Sequence, residues 1–209
     1  MLPHQLIKLG FHLLYNQMAW TYDLVAWCVS FGQWPTWRRL SMQYMHPGPT
    51  LELAYGTGGL FVDMLEAGHQ PTGIDVSPYM AHLTRQKLAQ RQLPLNINRA
   101  KAQFLPFPSE HFTNVVATFP TNYIFQPDTL AEISRVLNQT GCLIIVIEGQ
   151  LRGPKPIRPF IDWLYKITNQ QGFPKGKPLD QLAQHNLNAR WQVSQHNGAS
   201  ARLIIANKF

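Results

Sequence analysis

Residues 50–59 read TLELAYGTGG, and residues 73–77 read GIDVS. The first stretch is a short apolar run that ends in glycines. The second is another apolar run, and it ends in Asp75, nineteen residues after Gly56. This spacing predicts a strand, a tight glycine turn, a helix and a second strand tipped by an acid. A doubly wound sheet holds an adenosine-containing cofactor in that way. Glycines let the backbone approach a ligand closely, and the acid accepts hydrogen bonds from ribose hydroxyls.

The glycine turn alone leaves the cofactor open, because 54–59 (AYGTGG) also fits a dinucleotide fingerprint with alanine in its first position. Glu52 narrows the choice. It lies inside the first strand, where an acid needs a partner, and the ammonium of S-adenosylmethionine is one. A hydride-transferring dinucleotide domain would also repeat its strand–helix–strand half, and the chain is short for adding a substrate domain.

Outward from this centre, strands and helices alternate, as in a parallel sheet. The expected elements are a strand over Leu51–Tyr55, a helix over Leu60–Ala67 and a strand over Gln70–Asp75. A helix over Pro78–Arg91 follows, with Ser77 as N-cap and Pro78 in its first position. Further strands are expected near Leu95–Arg99 and over Asn114–Phe119. A helix over Thr129–Leu137 should end in a turn at Asn138–Gly141, before the apolar strand Cys142–Glu148. Pro159–Asn169 reads as a helix. Arg190–His196 and Ala201–Lys208 read as two strands joined at Gly198, so the last strand runs antiparallel. The fold class is therefore α/β: a doubly wound, mostly parallel, seven-stranded Rossmann-like sheet with an antiparallel last strand. Residues 4–45 read as aromatic-rich helices, so the expected organisation is an N-terminal helical cap over 1–48 and one globular unit over 49–209.

The 209 residues suffice for one domain with a substantial core. Charged residues are only 14%, against roughly 25% in typical proteins. The formal net charge is +7, and residues 149–177 hold six bases and one acid, a net +5. Such a segment is either a solvated basic loop or an attractor of an anionic substrate, nucleic acid or acidic lipid. The two cysteines, Cys28 and Cys142, belong to no paired or His/Cys cluster, which fits free thiols in a reducing, cytoplasmic setting. No histidine spacing suggests a metal site. The longest early apolar run, Leu24–Phe31, falls well short of the roughly 20 residues a membrane span needs, and no signal peptide is evident.

LELAYGTGG and GIDVS, followed by LPFP at 105–108 and EISRVLNQTGCLIIVIE at 132–148, resemble a class I S-adenosylmethionine-dependent methyltransferase. More narrowly, the chain is similar to the group containing the ubiquinone and menaquinone biosynthesis enzymes. YDLVAWCVSFGQWPTWRR at 22–39 resembles that group's N-terminal cap, and PIRPFIDWLYKI at 156–167 its helix after the fifth strand.

The resemblance implies S-adenosylmethionine as cofactor and S-adenosylhomocysteine as product. Glu52, Ala54, Tyr55, Gly56, Thr57 and Gly58 would form the first cofactor loop. Asp75 would hold the ribose hydroxyls, with Val76 beside the adenine and Ala102 and Gln103 at its edge. Thr118 and Phe119 would lie near the methionine portion; Tyr22 and Asp23 either close over the ligand from the cap or, in the alternative, Asp23 caps a helix. Three departures matter. Ala54 replaces the family's first loop glycine, which is tolerable if its φ is negative. Tyr55 puts a bulky group near the methionine pocket. Lys101 replaces an aspartate that commonly binds the adenine amino group, and lysine cannot accept that hydrogen bond.

Reacting groups in an open α/β sheet lie beyond the carboxyl ends of the strands. This favours TFPTNY at 118–123 and Glu148. Asn122, Tyr123 and Glu148 are the candidate catalytic residues. Ordinary loop packing is the alternative for the first two, and pairing with Arg152 or a helix end for Glu148. His111 precedes its strand, at the wrong end. The segments 149–160 and 170–178 are expected to form a basic substrate-side lid. The leading expectation is methylation of a small aromatic or apolar acceptor, with peripheral membrane contact left open. The competing readings are an RNA methyltransferase, suggested by the charge, and a non-catalytic binding protein, suggested by Lys101 and Tyr55.

Overall fold

The structure is a computed structural model that describes residues 27, 30–150, 177–196 and 198–209. Tyr22, Asp23, Cys28, the expected helix 159–169 and most of the expected lid, including Arg152 and Arg158, lie outside the described residues.

Seven strands form one sheet in the order β3-β2-β1-β4-β5-β7-β6. They are β1 (Thr50–Leu53), β2 (Pro71–Asp75), β3 (Ile97–Arg99), β4 (Phe112–Thr118), β5 (Leu137–Gln150), β6 (Leu187–His196) and β7 (Ala199–Lys208). β1 pairs in parallel with β2 on one side and β4 on the other. β7 runs antiparallel to both β5 and β6. The expected topology is therefore present, with its one reversal contributed by the C-terminal hairpin.

The alternation of β1 sets the two layers. Leu51 and Leu53 face a cluster that includes Leu130, Ile133 and Val136 of helix α4 (Pro127–Val136). Short helix α5 (Pro178–Ala183) adds Leu182 to the same layer. The opposite layer holds Trp37 of α1 (Trp34–Arg39), Leu60, Phe61 and Met64 of α2 (Gly59–Glu66) and Leu88 of α3 (Pro78–Gln90). Helices thus cover both faces, which is why the central strands are continuous apolar runs.

The break at 46–49 is stitched to β4 by Asn114. Its side chain accepts from His46 N at 2.9 Å, and donates to His46 O at 2.8 Å and Thr50 Oγ1 at 2.9 Å. This pins the entrance of β1.

Three features differ from the sequence expectation. α4 starts at Pro127, because proline's fixed φ suits the first helical position. The residues expected as a turn, 138–141, belong to β5 but leave the ladder: Phe112 pairs with Leu137, and Asn114 next pairs with Cys142. Asn138 Nδ2 reaches Thr113 Oγ1 at 3.2 Å across this irregularity. Residues 178–183, starting at the last residue of the expected lid segment 170–178, form helix α5. Cys142 is a buried free thiol in β5, and burial pushes its pKa up to about 11.

Candidate cofactor and active site

The turn after β1 is built from left-handed residues. Ala54, Gly56 and Gly58 have φ of 54°, 57° and 73°. The negative φ that would make alanine easy to accommodate at position 54 is not what the chain adopts. A Cβ in this region crowds the following carbonyl, at a cost of about 1–2 kcal/mol per residue. The alternating left-handed residues fold the chain back within one turn, and Gly58 N donates to Tyr55 O at 2.9 Å.

The two loop glycines do different work. A Cβ on Gly58 would meet Thr84 Cγ2 at 2.6 Å, so that glycine permits the packing of α3 against the turn. A Cβ on Gly56 would meet nothing closer than Ala54 O at 4.0 Å. The Gly56 α-carbon therefore presents a bare, open surface, as close approach of a ligand requires.

Asp75, at the tip of β2, ties the two halves together. Its Oδ2 accepts from Gly56 N at 2.9 Å and its Oδ1 from Ser77 N at 2.8 Å. Burial raises its pKa, opposed by backbone bonds from Ser77, Gly56 and Val76. Ser77 caps α3 by accepting from Met80 N. Val76, beside this acid, is 55% exposed, an apolar side chain available to a flat ring.

Glu52 is 2% exposed, and its Oε2 has no hydrogen-bond partner among the described residues. Burial pushes its pKa well above the ordinary 4.5; Arg38 opposes this, while Asp75 and Asp63 reinforce it. A buried carboxyl with an orphaned oxygen fits a cationic ligand group. The bare glycine, the oriented Asp75 and the orphaned Glu52 together suit the ribose and ammonium of S-adenosylmethionine.

Tyr55 does not stand over the turn. Its ring lies on Gly73, where a Cβ would meet Cδ1 at 2.8 Å, and against Phe61 with centroids 6.4 Å apart. Burial and then Asp75 push its pKa up to about 12. Thr57 is buried at 7% exposure, and Ala102 at 7%. Gln103 Nε2 donates to Gln126 Oε1 at 2.6 Å. Lys101 is exposed, and its carbonyl accepts from Phe104 N at 3.0 Å.

α4 holds the loop at 101–107 by a device that sequence reading missed. Glu132 Oε2 accepts from Leu105 N at 2.6 Å. Arg135 donates to Glu132, to Phe107 O at 2.8 Å and to Leu105 O at 3.0 Å. Hydrogen bonding to Arg135 holds the Glu132 carboxyl below the ordinary carboxylate range. The EISR and LPFP stretches are thus two halves of one clasp.

The aromatic residues flank the carboxyl end of β4. Phe119, with φ of 50°, follows Thr118 and stacks on Trp34 with centroids 4.0 Å apart. Trp37 completes the group, 6.4 Å from each. Of the candidate catalytic residues, Asn122 is exposed, whereas Tyr123 packs against the apolar cluster and its hydroxyl is buried. Glu148 reaches Arg202 Nη1 at 3.9 Å, so among the described residues its cation is Arg202 of β7. Arg202 lies over the Trp191 ring at 4.0 Å. His111 is exposed, just before β4, at the opposite end of that strand.

Sheet order, glycine turn and acid tip define a class I S-adenosylmethionine-dependent methyltransferase. Comparison with known proteins agrees. The family described as "Methyltransferase domain" matches residues 50–141. A demethylmenaquinone methyltransferase from Thermus thermophilus is 30% identical over 167 residues, covering 77% of this chain and 74% of that enzyme. The ubiquinone/menaquinone biosynthesis C-methyltransferase UbiE of Shewanella pealeana is 29% identical, over 78% of this chain and 66%, just under two thirds, of the relative. Among solved structures, geranyl diphosphate C-methyltransferase from Streptomyces coelicolor, crystallised with S-adenosyl-L-homocysteine, superposes with a TM-score of 0.64. It is 14% identical, covering 83% of this chain and 79% of that one. The chain belongs to the S-adenosylmethionine-dependent methyltransferases, with the demethylmenaquinone and ubiquinone/menaquinone enzymes as relatives. Among the described residues, no helix is long and apolar enough to cross a membrane.

Proposed function

We propose that this protein, in the cytoplasm, methylates a flat, apolar, quinone-like acceptor. The observation that carries the reading is the partly exposed, stacked pair Trp34 and Phe119, backed by the buried Trp37, at the carboxyl end of β4, where an open α/β sheet binds its ligands. The names of the Thermus and Shewanella relatives support a quinoid acceptor.

Gly56, Thr57 and Gly58 would hold the cofactor backbone, Asp75 the ribose hydroxyls and Glu52 the ammonium, with Val76, Ala102 and Gln103 around the adenine. Thr118 and Phe119 would face its methionine portion. Bound S-adenosylmethionine supplies a methyl group already activated by a positive sulfur. The protein's own task is then mainly positioning, which supplies much of a displacement's acceleration. Phe119 and Trp34 offer ring faces for an acceptor to stack on. Asn122, in the turn after β4, and Glu148, in the part of β5 that runs past its last pairing with β4, would be the polar groups that orient its oxygens.

The test is formation of S-adenosylhomocysteine by the purified chain. The panel would contain a reduced prenylated naphthoquinone, a reduced benzoquinone, histamine and a short structured RNA. Turnover confined to the quinols supports the reading. Turnover with RNA or the amine alone overturns it.

A further inference from the structure

The peptide units flanking the Gly56 α-carbon are clamped from opposite sides. On one side, Gly56 N–H donates to Asp75 Oδ2 at 2.9 Å. On the other, Gly56 C=O accepts from Thr84 Oγ1 at 2.9 Å. Thr84 lies on α3, is 0% exposed and stands 28 residues from Gly56 in sequence. The same side chain occupies the space beside Gly58, where an added Cβ would lie 2.6 Å from its Cγ2 and 2.8 Å from its Oγ1. One threonine thus fixes the carbonyl of the first loop glycine and fills the space beside the second.

We infer that Thr84 is a positioning residue for the cofactor, acting through the loop without touching the ligand. The inference rests on the assignment of the Gly56 turn as the cofactor site. With its N–H and C=O both engaged inside the protein, the Gly56 backbone offers the ligand a fixed bare carbon, not a free donor or acceptor. Asp75 is held by Gly56 and Ser77, so orienting Gly56 also orients the ribose-binding carboxylate. Without the Thr84 hydroxyl, the Gly56 carbonyl loses a buried partner and the turn relaxes. Cofactor affinity then falls because ordering the loop becomes part of binding. The hydroxyl is the active part and the methyl the spacer, which separates this role from simple packing.

The experiment is isothermal titration with S-adenosylhomocysteine of wild type, Thr84→Val, Thr84→Ser and Asp75→Ala, each with a melting temperature. Thr84→Val, nearly the same shape, is expected to weaken binding roughly tenfold. Thr84→Ser keeps the hydroxyl and should stay within about threefold of wild type. If Thr84→Val does not fold, Thr84→Cys, with only a weak S–H donor, takes its place. A lower melting temperature with unchanged affinity in the Val or Cys variant would make Thr84 a packing residue and overturn the inference. So would equal loss of binding in Ser and Val. Unchanged affinity in Asp75→Ala, or no binding by wild type, would sink the site assignment itself and the inference with it.

Discussion

Arg38 Nε donates to Asp63 Oδ2 at 2.8 Å, across the junction between α1 and α2. Arg39 Nη2 takes the other oxygen, Oδ1, at 2.8 Å. The Asp63 side chain is only 6% exposed, Arg38 is 17% exposed and Arg39 is 56% exposed. Arg38 also lies over the first residue of α2, where a Cβ on Gly59 would meet Nη1 at 2.6 Å. Its charge is the principal one favouring ionised Glu52. One guanidinium therefore joins α1, the first residue of α2 and the buried acid.

Removing the shared carboxylate leaves the mostly buried Arg38 without its anion. Asp63→Ala is expected to cost about 3 kcal/mol, near the value for breaking a buried pair. Arg39→Ala should cost less than about 1 kcal/mol, because that arginine is mostly solvated. Urea denaturation of both variants checks this, and equal losses would show that burial does not set the contribution.

Glu52 is expected to trade stability for binding. Its folded pKa is raised well above 4.5, so the folded state holds a proton that the unfolded chain releases. Its contribution to stability is full below the unfolded pKa and is lost as pH rises through the folded one. Glu52→Gln removes that loss. The variant should melt higher than wild type at pH values above the folded pKa, and match it more closely near pH 4. A cationic ligand needs the carboxylate, so the same variant should bind S-adenosylmethionine more weakly. Melting curves across pH with one titration at neutral pH decide both parts. A less stable Glu52→Gln at neutral pH would mean that the carboxylate has an internal partner.

What could be read in advance follows the range of each interaction. The turn, Asp75 and Ser77 were legible because glycine spacing, an acid at a strand end and a capping serine each leave a local mark. Thr84 left none, since its partner is a backbone carbonyl 28 residues away, while Arg38 stood inside a recognised stretch but its partner, Asp63, lies 25 residues on. Glu132 and Arg135 stood inside a recognised stretch, yet their bonds to 105–107 depend on how α4 meets the loop. The Ala54 conformation is not written in its own residue type, because Ala adopts a left-handed φ only where its neighbours impose it. Helix α5 did carry a signal, Pro178 followed by Asp180 in its first turn, but the glycines before it suggested a loop.

Trp37 and Gly149 give a test of packing. Trp37 is fully buried, and a Cβ on Gly149 would fall 2.0 Å from its Cδ2. Gly149→Ala must push the indole, and α1 with it, away from β5. Overpacking of this kind costs about 1–3 kcal/mol. Trp37→Leu should destabilise by a comparable amount through lost burial. The double variant should be more stable than the sum of the two predicts, because the smaller side chain leaves room for the methyl. Strict additivity in thermal or urea melts would show that the two residues are independent.

Glu148 separates a catalytic role from a surface pair. Its oxygen lies 3.9 Å from Arg202, with the two side chains 42% and 32% exposed. A pair so long and so solvated contributes less than about 1 kcal/mol, so Glu148→Gln should leave the melting temperature nearly unchanged. Arg202 keeps its place over Trp191 at 4.0 Å, so the variant should not collapse that corner. The register places Glu148 beyond the last β4 pairing, Thr118 with Val146, at the carboxyl end of the parallel strands. If it orients or deprotonates the acceptor, Glu148→Gln should lower kcat about a hundredfold while S-adenosylhomocysteine affinity holds. Asn122→Ala, exposed on the neighbouring loop, should raise KM for the acceptor more than it lowers kcat. An unchanged kcat for Glu148→Gln would return that residue to the surface and leave positioning to Asn122 and the aromatic faces.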